Sequence, residues 1–499
     1  IGDVFFSDFT FIDNKFKYDF DELVLQSRVN NNKRVVNVSS NDVIEGILIG
    51  NFDSIDILKQ IYNAYNSRYT DFNRDKSDSE INFNFILKPK IAKFLSSNLI
   101  IGNNTFLSGK IISDFFELRF NSPQISINDY FLENFKLNIV NNKGEIKIDN
   151  INSPFFNGSS LILTSLFEND KTNFDIEFFS NENLNKIKIS HFFNSKNQSI
   201  YELNELRFDY NNNTWFLDNS NFEEDNKLIF DKNSQELKLA IKTSAKQKID
   251  FKYLDSENDF EFVSNFNNVD FSSIFPKPKN ILYEGLVNGS IFLNKNNNIY
   301  FGNSNLTISN FLANKNLIGD AQLEINPSKN LDYYNIDLNI LKDFNSTFSL
   351  NGNFKIESDD FPVDLEINTK NFDISPFSAI GENVLTNIQG LFNSSIQVTG
   401  TFKKPKMSGY IHALESSFDV PYLGIGFNFS DDPKFMIDNY DIVIDKFNIE
   451  DKDLKTVGVM DGKISHNRFK DWFLDFEINS NNLLALNTER KDNEYYYGS

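Results

Sequence analysis

"YNIDLNI" (334–340) decides the fold. Tyr334, Ile336, Leu338 and Ile340 alternate with Asn335, Asp337 and Asn339. A period of two belongs to a β-strand, in which successive side chains point to opposite faces. One face of this strand is apolar and the other polar. The same reading recurs along the chain. "INFNFILKP" (81–89) aligns Ile81, Phe83, Phe85 and Leu87, and "FSLNGNFKI" (348–356) aligns Phe348, Leu350, Phe354 and Ile356, with Gly352 in the row. "VDLEI" (363–367) offers Val363, Leu365 and Ile367, and "DIVID" (441–445) offers Ile442 and Ile444. "DWFLDFEI" (471–478) offers Trp472, Leu474, Phe476 and Ile478. Turn clusters such as "NNKGE", "NNNT", "NKNNN", "NSNL" and "SDDF" separate such runs. The fold class is therefore all-β.

Composition narrows the reading. The 499 residues carry 49 Lys+Arg against 70 Asp+Glu, a net charge of -21. That balance argues against nucleic acid and against electrostatic docking on anionic lipid. There is no cysteine, which removes disulfides, thiolate metal sites and thiol catalysis. Phe is abundant at 54 residues, and asparagine supplies about one residue in seven, well above ordinary usage. Aromatic and β-branched residues favour strands, and asparagine favours turns. No apolar run reaches the roughly 18–20 residues of a membrane helix. The chain starts without Met and stops at "EYYYGS"; it reads as a fragment, so an anchor or signal could lie outside it.

The length suggests about three ordinary domains, yet no linker or change of composition marks a boundary. One elongated sheet of about forty strands, at about 12 residues per strand and turn, fits better. Loose repeats support it. "VDFSSIFPKPKNILYEGLVNGSIFLN" (269–294) parallels "FDISPFSAIGENVLTNIQGLFNSSIQVTG" (372–400): an aspartate and a short apolar segment lead to a glycine and an outgoing strand.

Helices are few. In "FDSIDILKQIYNAYNSRY" (52–69), Ile55, Ile57, Leu58, Ile61, Tyr62 and Tyr65 form one stripe that Asp53 or Ser54 could cap. This predicts a helix near 53–68, serving as a plug or partner face or, more simply, packed over one mouth of the sheet. "ISPFSAIGENVLTNI" (374–388) offers a second short helix.

No enzyme is expected. His191, His412 and His466 stand in unrelated contexts and read as surface or turn residues. Nucleophile elbows, phosphate loops and H-E-x-x-H are absent. Asp441/Asp445 and Glu223/Glu224 are chance pairs on solvated edges. No cofactor or metal is implied.

The C-terminal hundred residues carry a resemblance. "VTGTFKKPKMSGYIHALESSFDVPYLGIGFNF" (398–429) is similar to the C-terminal part of the TamB family, within the AsmA-like superfamily. Gly400, Thr401, Pro405, Gly409, Phe418, Val420, Pro421, Tyr422 and Leu423 carry the match. "GVMDGKISHNRFKDWFLDFEINSNNLLALNTERKDNEYYYG" (458–498) resembles the family's next block through Gly462, Ile464, His466, Phe469, Asp471, Trp472, Leu483, Leu484, Asn487, Thr488, Tyr496, Tyr497 and Gly498. His466 would be a turn residue there. Pro405 and Pro421 read as strand boundaries, Gly409 as a backbone turn and "SSF" as a corner. The division expected is a repetitive AsmA-like segment, 1–400, and a TamB-like region, 401–499.

The resemblance implies a long curled sheet, a taco-like open tube in the periplasm of a bacterial cell envelope. An N-terminal helix outside this sequence would anchor it in the inner membrane. Its C-terminal end would meet an outer-membrane barrel of the Omp85 class, TamA or an equivalent. The candidate groove lining is Phe83, Phe85 and Leu87, Ile336, Leu338 and Ile340, Leu350, Phe354 and Ile356, Val363, Leu365 and Ile367, Ile442 and Ile444, and Trp472, Leu474 and Phe476. Two functions follow. The first is a bridge that carries phospholipid between the two membranes along the groove. The second is an assembly factor that uses exposed strand edges to insert outer-membrane proteins.

Overall fold

The structure, a computed structural model, describes residues 2–13, 16–52, 57–70, 80–96, 98–112, 115–154, 157–211, 213–220, 226–257, 259–274, 281–296, 299–356, 360–381, 385–467 and 470–488. The fold is all-β, 75% strand and 5% helix. The chain forms two compact units, Ile1–Ser244 and Ala245–Ser499. The expected boundary at 400/401 falls inside a paired hairpin of the second unit.

Unit 1 holds β1 (Gly2–Asp13), β2 (Phe16–Asn30), β3 (Lys33–Ser39), β4 (Ile44–Asn51), β5 (Glu80–Leu87), β6 (Leu99–Ile101), β7 (Thr105–Ile112), β8 (Phe115–Ile127), β9 (Tyr130–Val140), β10 (Lys143–Asn152), β11 (Asn157–Glu168), β12 (Lys171–Ser180), β13 (Asn183–Phe193), β14 (Ser199–Tyr210), β15 (Asn213–Leu217), β16 (Lys227–Phe230) and β17 (Ser234–Thr243). Unit 2 holds β18 (Lys248–Ser256), β19 (Asp259–Asp270), β20 (Tyr283–Asn296), β21 (Ile299–Ala313), β22 (Asn316–Pro327), β23 (Tyr334–Lys342), β24 (Asn345–Phe354), β25 (Pro362–Asp373), β26 (Thr386–Thr401), β27 (Lys404–Val420), β28 (Ile425–Phe429), β29 (Lys434–Asp438), β30 (Asp441–Asp451), β31 (Val457–Asn467) and β32 (Lys470–Asn479). Within each unit the strands pair antiparallel, each with a strand one or two places away in the chain. The described residues hold 32 strands, fewer than the expected forty, and many run long; β27 has 17 residues.

Asparagine accounts for the turns. Of 28 described non-glycine residues with positive φ, 17 are Asn, the residue whose short polar side chain best tolerates the left-handed region. Others sit inside strands as bulges, several of them fixed by a neighbouring side chain. The Asn310 N–H donates to Asp320 Oδ1 at 2.7 Å, and the Glu415 N–H donates to Asp432 Oδ1 at 3.0 Å.

The 269–294 and 372–400 parallel is structural. In both, a bulged asparagine donates its N–H to an asparagine across the sheet: Asn268 to Asn288 at 2.8 Å, Asn371 to Asn393 at 2.6 Å. Two residues later an aspartate accepts from a serine N–H, Ser272 to Asp270 and Ser375 to Asp373, both at 2.9 Å. That bond opens a helical turn, α3 (Phe271–Ile274) in one copy and a 3-10 helix at Ser375–Gly381 in the other. Here the second expected helix is a 3-10 segment that ends early.

The first expected helix is α1 (Ile57–Asn66), shorter than 53–68; Ile55 and the cap candidates Asp53 and Ser54 lie outside the described residues. Tyr62 is 56% exposed, so it does not belong to the buried stripe. A further helix, α2 (Ala92–Leu95), follows a 3-10 turn at Pro89–Ile91.

Three further readings need correction. Gly409 does not turn the chain; it lies within β27, and "SSF" continues that strand past the Glu415 bulge. The corner comes at Pro421–Leu423, a 3-10 turn closed by Gly424 with φ 66. His191 and His466 are not surface residues: they are 5% and 7% exposed, and both lie in strands.

Candidate functional site

Registers reveal which side chains share a face, because residues directly opposite in a ladder point the same way. In unit 2, Ile249 faces Phe266, Phe266 faces Gly289, and Gly289 faces Leu306. The row continues through Leu323, Leu338, Leu350, Ile367 and Ile396. It then passes Gly409, Ile437, Ile442 and Ile464 and reaches Leu474 by register. Fourteen strands contribute, and every position is apolar or glycine. At about 4.8 Å per strand the row runs roughly 60 Å.

Two parallel rows flank it on the same face. One carries Ile325, Ile336, Gly352, Leu365, Val398 and Met407. The other carries Ile308, Ala321, Ile340, Phe348, Thr369 and Ser394, then Ile411, Phe435, Ile444, Gly462 and Phe476. Val363, Leu365 and Val398 are buried, with Ile336, Leu350, Phe354 and Ile367 half-buried against them. Leu338 and Ile442 are half-buried; Ile340 and Ile444 are buried. The opposite face is polar: Asn335 and Asp337 are exposed, and Asn339 donates to Asp337.

Most of the candidates on these strands thus fall on one face. Ile356 lies past the end of β24, and Phe476 is 37% exposed. Trp472 and Leu474 belong to β32, their side chains outside the described residues. Sequence reading missed Leu306, Leu323, Ile396, Ile437 and Ile464. For the first three the signal was present as alternation in "NLTIS", "AQLEIN" and "NSSIQVTG".

Unit 1 repeats the arrangement. Leu25, Val38, Gly46, Phe85, Leu107, Phe120 and Leu137 form one row, continued by Ile146, Leu163, Ile176, Ile187 and Leu206. Beside it run Leu48, Phe83, Gly109, Leu118, Ile139 and Gly144. Here the face is closed. Phe83 is 1% and Phe85 5% exposed, in a cluster with Val36, Leu48, Phe52 and Ile81; Leu87 and Ile61 of α1 pack against it.

The segment after α1 continues along the same face. The Tyr69 ring packs edge-on against Phe167, His191 and Phe193, each at 5.1 Å. Its hydroxyl contacts Thr172 Oγ1 and lies 2.7 Å from His191 Nδ1, while His191 Nε2 lies 2.8 Å from Ser199 Oγ. Burial, with the Arg68 charge as a second cause, pushes His191 down to about 4. Burial likewise pushes the Tyr69 hydroxyl up to about 12. The neutral imidazole thus bridges two hydroxyls and joins Tyr69 to β13 and β14.

Among the described residues no cluster of His, Asp and Glu could hold a metal ion. Asp441 bonds Ser465 and Lys463, not Asp445; Glu223 and Glu224 lie outside the described residues. Among the described residues no helix is long and apolar enough to cross a membrane, a statement about helices alone. No protein-family model, curated protein or solved structure matches this chain.

Proposed function

We propose that this chain is a non-catalytic lipid-transfer protein that conducts phospholipid acyl chains along its apolar face. The carrying observation is the fourteen-strand row from Ile249 to Leu474, interrupted by no polar residue. Each methylene moved from water onto such a surface gains about 0.8 kcal/mol. Because the row repeats strand by strand, a chain can advance without leaving apolar contact. Leu338, Leu350 and Ile367 are half-buried, which leaves them surface to offer a ligand. A sheet curled around this face would shield acyl chains while headgroups follow the open seam.

The C-terminal resemblance adds the setting: a bacterial periplasm, with phospholipid passing between an inner membrane and an Omp85-class barrel of the outer membrane. A photo-crosslinking residue at 338, compared with one at 337, tests the conduit. Lipid adducts at 338 and few at 337 support it. Equal labelling overturns it, and a client polypeptide crosslinked along a strand edge would favour outer-membrane protein assembly instead.

A further inference from the structure

We infer that α1 and residues 67–70 form a releasable strap that closes the apolar face of unit 1; this rests on the lipid reading and concerns its regulation. The strap lies where a ligand would lie. Ile61 packs on the Phe83–Phe85 cluster, Tyr65 on Phe116, and Tyr69 on Phe167 and His191, all on the apolar side of the sheet.

Among the described residues, the hydrogen bonds that fasten it to the sheet all involve side chains. Arg68 Nη1 donates to the Asn141 carbonyl at 3.0 Å, the Thr70 N–H donates to Asp170 Oδ1 at 2.7 Å, and Tyr69 engages Thr172 and His191. These partners lie on the β9–β10 and β11–β12 turns and at the adjoining ends of β12 and β13. No backbone–backbone bond joins residues 57–70 to the sheet among the described residues; the strap's own bonds of that kind, Ser67 to Asn63 and Tyr69 to Asn66, are internal. The C-terminal segment over unit 2 differs, being pinned by Asn487 N–H to the Leu423 carbonyl.

Closure also carries a cost. Arg68 stacks 3.8 Å from Tyr65 and 5.0 Å from Phe167, yet its Nε and Nη2 are buried with no acceptor among the described residues. Buried donors left unpaired favour a state in which water can reach them. The closed strap is therefore held by reversible contacts against an opposing penalty, as a two-state element requires.

The absence of native cysteine makes the test direct. Thr70→Cys with Asp170→Cys, bridged by a short bis-maleimide, locks the strap; the unbridged protein is the control. Photo-crosslinkers at Ile139, in the row beside the strap, and at Leu338, in unit 2, report lipid from phosphatidylethanolamine–phosphatidylglycerol vesicles. Bridging should cut lipid adducts at Ile139 about tenfold and leave Leu338 unchanged. Tyr69→Phe, unbridged, should raise labelling at Ile139. Equal labelling of bridged and unbridged protein at Ile139, with Leu338 labelled, overturns the strap alone. No adduct at either position in any form overturns the lipid reading and the strap with it.

Discussion

Gly409 leaves no room for a side chain against Ser395: a Cβ built on it would stand 2.1 Å from the Ser395 carbonyl oxygen. Its φ of 145° is also one that other residues rarely adopt. Gly409→Ala must therefore push β26 from β27 within the apolar row. A loss of about 3 kcal/mol or more is expected from denaturant midpoints. Gly2→Ala is the control, since nothing lies within 4 Å of its added Cβ.

The paired aspartates of the internal repeat predict additivity. Asp270→Ala and Asp373→Ala each remove the acceptor that opens a helical turn, at about 1 kcal/mol apiece. Five strands lie between the two sites, so the double variant should lose the sum within about 0.5 kcal/mol. A clear excess in urea melts would mean the two corners are coupled.

His191 predicts acid sensitivity. Its folded value of about 4 lies below the unfolded 6.5, so between them the unfolded chain binds more protons. The stability contributed by the neutral joint is full above about pH 6.5 and drains away as pH falls toward 4. Relative to His191→Gln, the native protein should lose about 2–3 kcal/mol between pH 7 and 4.5. A pH-independent difference between the two would contradict the neutral, buried assignment.

Asp451 ties down the corner beyond β30. Its carboxylate accepts from the N–H groups of Asp453, Leu454 and Thr456 at 3.0, 2.6 and 2.7 Å, and from the Thr456 hydroxyl. Thr456 Oγ1 in turn accepts from the Leu484 N–H at 2.8 Å, where Leu483 and Leu484 cover the Phe447–Ile449 cluster. Asp451→Ala should cost about 2–4 kcal/mol and speed amide exchange at Leu484. The bonds it accepts hold this carboxyl below its ordinary value despite burial. Their contribution persists above the unfolded pKa and is lost only as pH falls below it.

Alternation in the sequence made the strands and their apolar faces readable. Ile336, Leu338 and Ile340 needed no partner to be assigned a side, because the period of two is local. Register was not readable. That Leu338 meets Leu350 and Leu323 depends on turn lengths and bulges, and a bulge at a glutamate such as Glu415 leaves no signature in composition. The strap was half legible: the stripe of Ile61 and Tyr65 marked a helix. The Tyr69–His191 contact joins residues 122 apart, and nothing near His191 in the sequence signals burial when the covering group comes from so far along the chain.

Because every pairing within a unit is with a strand one or two places away, the sheet can be assembled in the order in which the chain is delivered. Each hairpin completes itself against the edge just formed, so loop-closure entropy stays small at every step. The same rule governs length. Since the two strands of a hairpin run in opposite directions, inserting or deleting a hairpin such as β23–β24 preserves the polarity of everything downstream and shortens or lengthens the row by two rungs. A single strand gained or lost would send the rest of the chain out from the opposite rim. Reach is thus adjustable in steps of about 10 Å, the increment that duplication of one hairpin supplies.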